Sequence, residues 1–255
     1  MNKPFITIAL TQYNEHKNLQ NGALDNMFNY LKEQEYEWEV VLNDDGSTDG
    51  SQEFVQKYNK FSNFKFIQGD HRGKAGGLNN AIKEAKGEWI LFTDIDQSTP
   101  INQIEKLLPF TKTHEVIIGS RGHERENSSF IRQLASIIFR LMRSIFILRK
   151  IKDTQCGFKL FKGESIKKIF PHLDAVKNFN AKGWNVTAFD VELLFIFEKL
   201  GFEIKEVEVD WKNEDISDTK QRKFVKESLN MIKQILSVVI RNVNGKYNHL
   251  KELFN

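Results

Sequence analysis

An α/β fold with a mostly parallel sheet and helices on both faces is what this 255-residue sequence predicts, on three observations. Short apolar runs alternate with helix-length segments through the first half of the chain. The runs are almost continuously hydrophobic, as strands buried on both faces require. A polar cluster follows each of the first four runs, at the carboxyl end of a strand, where ligands bind in open α/β sheets.

Taken in order, Phe5 to Leu10 reads as a strand, Glu15 to Lys32 as a helix, Glu39 to Leu42 as a strand and Gly50 to Tyr58 as a helix. Phe64 to Ile67 is the next strand and Ala75 to Lys86 the next helix. Trp89 to Phe92, bounded by Gly87 and by polar residues, is a buried strand. Ile101 to Leu108 is a helix, with Thr99 and Pro100 suited to its cap and first turn, and Glu115 to Ile118 is a fifth strand. Strand alternation carried past Phe92 places Asp94 and Asp96 on one side. Two carboxylates held together repel unless a cation lies between them, and a hard divalent ion such as Mg2+ or Mn2+ fits oxygen ligands of this kind. A polar strand end with two solvated aspartates gives the same tripeptide.

The composition is ordinary: 40% hydrophobic, 28% charged, with a net charge of +3, so no polyanionic partner such as a nucleic acid is implied. Cys156 is the single cysteine, which rules out an intramolecular disulfide and fits a reducing compartment. The opening residues carry too short an apolar run for a signal peptide, and no run approaches the roughly 18 apolar residues of a membrane span. A soluble or peripheral, cytoplasmic protein is expected.

The clusters differ in chemistry. Asn43 to Gly50 is acidic and rich in turn formers; it could cap a helix or accept hydrogen bonds from a base or ribose. His71-Arg72-Gly73-Lys74-Ala75-Gly76-Gly77 combines glycines with cations, which lets backbone amides approach a phosphate, although the spacing is neither a Walker loop nor a dinucleotide fingerprint. The series Tyr13-Asn14-Glu15, Asp44-Asp45-Gly46-Ser47, Gly73 to Gly76, Phe92 to Asp96, Gly119-Ser120-Arg121 and Asp153 to Phe161 resembles the family 2 glycosyltransferases of GT-A fold. It is most similar to the dolichyl- and polyprenyl-phosphate glucosyl- and mannosyltransferases, and the match runs in order from about Phe5 to Trp211.

The resemblance implies roles. Tyr13, Glu15, Asp44, Asp45, Lys74, Gly76, Asp94 and Arg121 would bind a nucleotide-sugar donor, and Asp94 and Asp96 the Mg2+ or Mn2+ that bridges its diphosphate. Ser98 stands where relatives often carry a further polar group beside the metal. Arg121 and Arg132 would face donor or acceptor phosphate, with Asp96, Asp190, Arg121 and Arg132 as the catalytic set and Arg132 and Lys220 on the acceptor. Two departures stand out: Thr11-Gln12 replaces the Pro-Ala or Pro-Thr usual in relatives, and Asp215 to Asp218 is acidic where they often place arginine and glycine.

The second half adds membrane signals. Asp190 and Glu192 in a helix lie about 200 degrees apart, so only one can face a site; Asp190 is the expected one. Across residues 129–150, apolar side chains share one helical face, and Arg132, Arg140, Arg143 and Lys150 fall within about 80 degrees on the other. Residues 222–243 repeat an apolar spacing with cations interspersed. These helices suit a membrane interface or an isoprenoid cradle, or simply complete the fold. Residues 1–215 are expected to form the catalytic domain, and 216–255 a C-terminal helical segment on the membrane or acceptor side. The implied function is inverting, metal-dependent transfer of a hexose, glucose from UDP-glucose, to a polyprenyl phosphate at the cytoplasmic face of a membrane. Transfer to a saccharide or glycolipid hydroxyl, with Asp190 or Glu192 as base, and a non-catalytic nucleotide-sugar-binding module are the alternatives.

Overall fold

The computed structural model describes residues 4–122, 148, 151–177, 189–212 and 224–254. Among the described residues seven strands form one sheet: β1 (Ile6–Gln12), β2 (Trp38–Asp44), β3 (Phe64–Gln68), β4 (Trp89–Phe92), β5 (Val116–Ser120), β6 (Lys159–Lys162) and β7 (Ile204–Glu208). Their order across the sheet is β3-β2-β1-β4-β6-β5-β7. β1 pairs in parallel with β2 and β4, β2 with β3, and β5 with β7, whereas β6 runs antiparallel between β4 and β5.

The inner strands are buried on both faces and the edge strands β3 and β7 only in part, and the side chains alternate between two cores. Ile6, Ile8, Leu10, Val40, Leu42, Trp89 and Leu91 pack on one face against Leu24, Met27, Phe28 and Leu31 of the helix Ala23–Lys32. Ala9, Val41, Ile90 and Phe92 pack on the other against Leu78, Ala81 and Ile82 of the helix Gly73–Glu84 and against the helix Phe189–Lys199. The C-terminal helix Phe224–Val243 delivers Ile235 and Val238 to this second core.

Three sequence expectations are corrected. The helix expected over Glu15 to Lys32 is two helices, His16–Gln20 and Ala23–Lys32, because Gly22 adopts φ +83°, a left-handed conformation that ends the first helix and caps the second. The segment expected as a helix over Ile101 to Leu108 is a short α-helix, Ile104–Leu107, between 3-10 turns, and its entry is Pro100, with no side-chain cap from Thr99. β6 and β7 also join the sheet beyond the five strands read from the sequence.

Candidate active site

The carboxyl ends of β1 to β4 lie side by side, and their loops are stitched together. Ser47 Oγ accepts from the Asn14 amide at 2.9 Å, Asn14 Oδ1 from the Thr48 amide at 2.8 Å, and Ser51 Oγ from the Glu15 amide at 2.9 Å. Asn14 takes φ +54°, a conformation asparagine tolerates better than most residues. Glu15 accepts from Asn18 Nδ2 at 2.5 Å.

Asp44 and Asp45 serve the loop itself. Asp44 is fully buried; its oxygens accept from the amides of Gly46 and Ser47 and from Gln12 and Gln52 Nε2 at 2.7–3.0 Å. The Gln12 departure thereby acquires a partner in the next strand. Asp45 accepts from the amides of Arg72 and Gly73 at 2.7 and 2.8 Å, which anchors the start of the helix Gly73–Glu84. Burial pushes the Asp45 carboxyl up despite those two amides. The Tyr13 ring lies on His71 with centroids 4.2 Å apart, and His71 Nδ1 sits 2.9 Å from the Asp45 carbonyl oxygen. Gly76 is buried under Arg72, whose Cβ would lie 2.4 Å from an added methyl group, and Gly77 under Thr11. Gly77 therefore lets this helix pack close on β1 and β2, whereas Gly76 leaves room for Arg72 at the start of the same helix.

Asp94 and Asp96 leave β4 on a turn, not on the strand itself, and Gln97 at φ +50° closes it with its amide bonded to the Asp94 carbonyl at 3.2 Å. Lys74 Nζ is 2.5 Å from Asp94 Oδ1. Burial alone would lower the Lys74 ammonium, but the carboxylates of Asp94, Asp190 and Asp96 outweigh it and hold it above the usual lysine range. Asp96 Oδ1 accepts from the Ser98 amide at 2.9 Å, and Asp96 borders an amide-lined groove of about 390 Å³ with Asn18, Asn21, Asn26 and Tyr30. Among the described residues no three His, Cys, Asp or Glu side chains gather around one point. Two oxygen-donor carboxylates on one turn fit a Mg2+ or Mn2+ ion that completes its shell with phosphate oxygens and water.

Across β4, the antiparallel strand β6 and the turn before it add two groups that sequence reasoning did not single out. Lys159, opposite Phe92, is 1% exposed, and its ammonium bonds Asp190 Oδ1 at 2.7 Å as well as the Cys156 carbonyl. Gly157 lies against Asp94. A lysine inside the apolar run Phe158 to Phe161 was the available signal, since a buried ammonium needs an anionic partner. Glu192 faces away: it is 3% exposed and accepts from Tyr247 Oη at 2.8 Å and the Asp174 amide at 3.0 Å, beside Arg241. Asp190 is thus the acid that faces the rim.

Arg121 forks onto Asp153, with Nε–Oδ2 2.7 Å and Nη2–Oδ1 2.8 Å, and its guanidinium lies over the Trp211 ring, 5.5 Å from the centroid. Its guanidinium is therefore tied to this chain as well as placed near the rim. Arg132, Lys220, the acidic stretch Asp215 to Asp218 and nearly all of residues 129–150 lie outside the described residues.

Residues 7–170 match the family model described as glycosyl transferase family 2. The chain is 30% identical to a dolichyl-phosphate beta-glucosyltransferase of Saccharomyces cerevisiae, over 97% of this chain and 78% of that protein. It is likewise 30% identical to the human dolichyl-phosphate beta-glucosyltransferase, over 95% and 77%. Among solved structures, a mannosyltransferase from Pyrobaculum calidifontis in complex with GDP-Man and Mn2+ superposes with a TM-score of 0.60 at 18% identity, covering 94% of this chain and 65% of the other. Glucosyl-3-phosphoglycerate synthase from Mycobacterium tuberculosis, in complex with Mn2+, UDP and its product, gives 0.57 at 16% identity over 93% and 79%.

Proposed function

The chain belongs to glycosyl transferase family 2 and is a glycosyltransferase of GT-A fold, and from that premise we propose that it transfers glucose from UDP-glucose to a polyprenyl phosphate of the dolichyl type, with inversion. The names of the curated relatives support the sugar and the acceptor. The observation that carries the reading is a row of alternating charges, Asp94, Lys74 and Asp190 on the rim with Lys159 buried beneath them. A phosphate acceptor brings one anion to another and needs cations more than a base, because its second ionisation lies near about pH 6. Asp190, which a hydroxyl acceptor would require as base, already has one oxygen bonded to Lys159.

In the proposed reaction an acceptor phosphate oxygen bonds to the anomeric carbon while the bond from that carbon to the diphosphate breaks. Asp94 and Asp96 would hold the divalent ion, which supplies charge neutralisation to the diphosphate. Tyr13 and His71 form an aromatic wall at the base end of the rim, and Lys74 carries positive charge to the phosphate end. The leaving nucleoside diphosphate needs no protonation at neutral pH.

Contact with a membrane belongs to the same reading. Leu236, Ile240 and Val243 are 38%, 60% and 79% exposed along one face of the helix Phe224–Val243, next to exposed Lys233 and Lys246. An apolar stripe edged with cations suits the anionic cytoplasmic leaflet, where the lipid acceptor would be met. Among the described residues no helix is long and apolar enough to cross a membrane.

A product assay tests the proposal: purified protein, Mn2+ or Mg2+, a panel of UDP- and GDP-sugars, and a short polyprenyl phosphate set against the matching alcohol and free sugars. Glucose transfer from UDP-glucose to the phosphate alone is the expected result. Transfer only to hydroxyl acceptors would overturn it and assign Asp190 the role of base.

A further inference from the structure

Gly157 sits where a side chain would collide with the metal-side carboxylate. A Cβ built on it falls 2.1 Å from Asp94 Oδ2 and 2.9 Å from Asp94 Cγ, far inside any real contact. Such a clash is relieved either by the segment backing away or by the carboxylate swinging, and the surroundings decide which.

The segment is pinned on every side. Upstream, Asp153 is forked to Arg121, and Glu206 of β7 accepts from the Lys152 and Asp153 amides. Downstream, Lys159 is buried and bonded both to Asp190 and back to the Cys156 carbonyl. Beneath, the Gly119 amide bonds the Phe158 carbonyl at 2.8 Å, and an added Cβ on Gly119 would lie 3.1 Å from that oxygen and 3.2 Å from Cys156 Sγ, so no slack remains there. Asp94 is a side chain on a turn, paired with Lys74 through Oδ1, and rotating it costs less than shifting a backbone held in this way.

We propose that Gly157 is a positioning residue for Asp94: the pinned turn from Cys156 to Lys159 forms a backbone wall that leaves the Asp94 carboxylate one orientation, with Oδ1 on Lys74, in which it would help hold a divalent ion. The proposal rests on the reading of Asp94 as a metal ligand. It extends that reading by making the orientation of the ligand depend on a residue some sixty positions away, in the turn that leads into the antiparallel strand β6. A methyl group at 157 turns the carboxylate away, and the change appears in metal binding before any catalytic step.

The test is Mn2+ titration in the presence of UDP, followed by electron paramagnetic resonance, on the wild-type protein, Gly157→Ala, Asp94→Ala and the double variant. Gly157→Ala should weaken Mn2+ binding by about tenfold or more, the usual consequence of disturbing the support of a ligand. In the Asp94→Ala background the same substitution should change neither Mn2+ binding nor thermal stability, because the clashing atoms are gone. Wild-type affinity in Gly157→Ala overturns the proposal, and so does a loss of stability that is equal in both backgrounds. The second comparison holds even if Gly157→Ala alone folds poorly. Wild-type protein and Asp94→Ala binding Mn2+ equally would instead remove the metal reading of Asp94 itself.

Discussion

Asp153 gives both carboxylate oxygens to Arg121 while itself only 16% exposed. Burial alone would raise its carboxyl, but the Arg121 guanidinium and the amides of Arg121 and Gln155 outweigh burial and hold it well below the usual carboxylate range. A group depressed on folding adds stability above its unfolded value, near about pH 4, and loses it as the pH falls toward the folded value. Asp153→Asn should therefore cost about 3 kcal/mol at neutral pH, where it strands a buried guanidinium. Urea unfolding of both proteins from pH 7 to pH 3.5 should show the gap narrowing only at the acid end. At this scale the sequence was partly legible. Asp94 and Asp96 stand out because carboxylates after an apolar strand need an explanation, and the helical angle separated Asp190 from Glu192. For Asp44 and Asp45 the sequence shows an acidic turn, but not the bonds to the amides of Gly46, Ser47, Arg72 and Gly73 that fix it, which are tertiary facts.

The C-terminal helix sets two apolar faces against each other. Ile235 and Val238 are buried in the core, whereas Leu236, Ile240 and Val243 face outward. Ile235→Ala should lose about 2–4 kcal/mol, since it opens a cavity under the helix. The double variant Ile240→Ser, Val243→Ser should stay within about 0.5–1 kcal/mol of wild type in thermal unfolding. Co-sedimentation with anionic vesicles should reverse the ranking: the serine pair loses about tenfold or more in partitioning, because each apolar side chain withdrawn from lipid forfeits roughly 1.5 kcal/mol or more. Equal vesicle binding by the serine pair and wild type would remove this helix from the membrane contact. Periodicity locates such a helix well, yet both faces of it are apolar, so the sequence cannot say which one the core takes. The break at Gly22 and the edge strand β7 escaped for related reasons: amphipathic spacing continues through the break, and the charges of Ile204–Glu208 mask a strand exposed at the sheet edge.

Across the whole molecule, the four parallel strands β3, β2, β1 and β4 present their loops in an order the sequence foreshadows, because each loop directly follows its strand. The β6 contribution could not be foreseen in the same way: it runs antiparallel beside β4 after more than sixty intervening residues, and only the fold brings Lys159 and Gly157 to Asp94 and Asp190. A ligand spanning the rim must therefore couple segments far apart in the chain and stabilise all of them together. UDP-glucose with Mn2+ at a hundred times its dissociation constant should add about 2.7 kcal/mol, seen as a rise of roughly 5–10 °C in the unfolding midpoint of a chain this size. With EDTA in place of Mn2+ most of that rise should vanish, because the diphosphate then meets Asp94 and Asp96 as repelling charges. Asp96→Ala should unfold near the wild-type temperature without ligand, since the Ser98 amide it accepts from lies beside it in the same turn. With Mn2+ and UDP-glucose it should gain little. An equal rise in EDTA, or an undiminished rise in Asp96→Ala, would mean that the nucleotide sugar binds without the ion these carboxylates are proposed to hold, leaving Lys74 as the principal charge at the phosphate end of the rim.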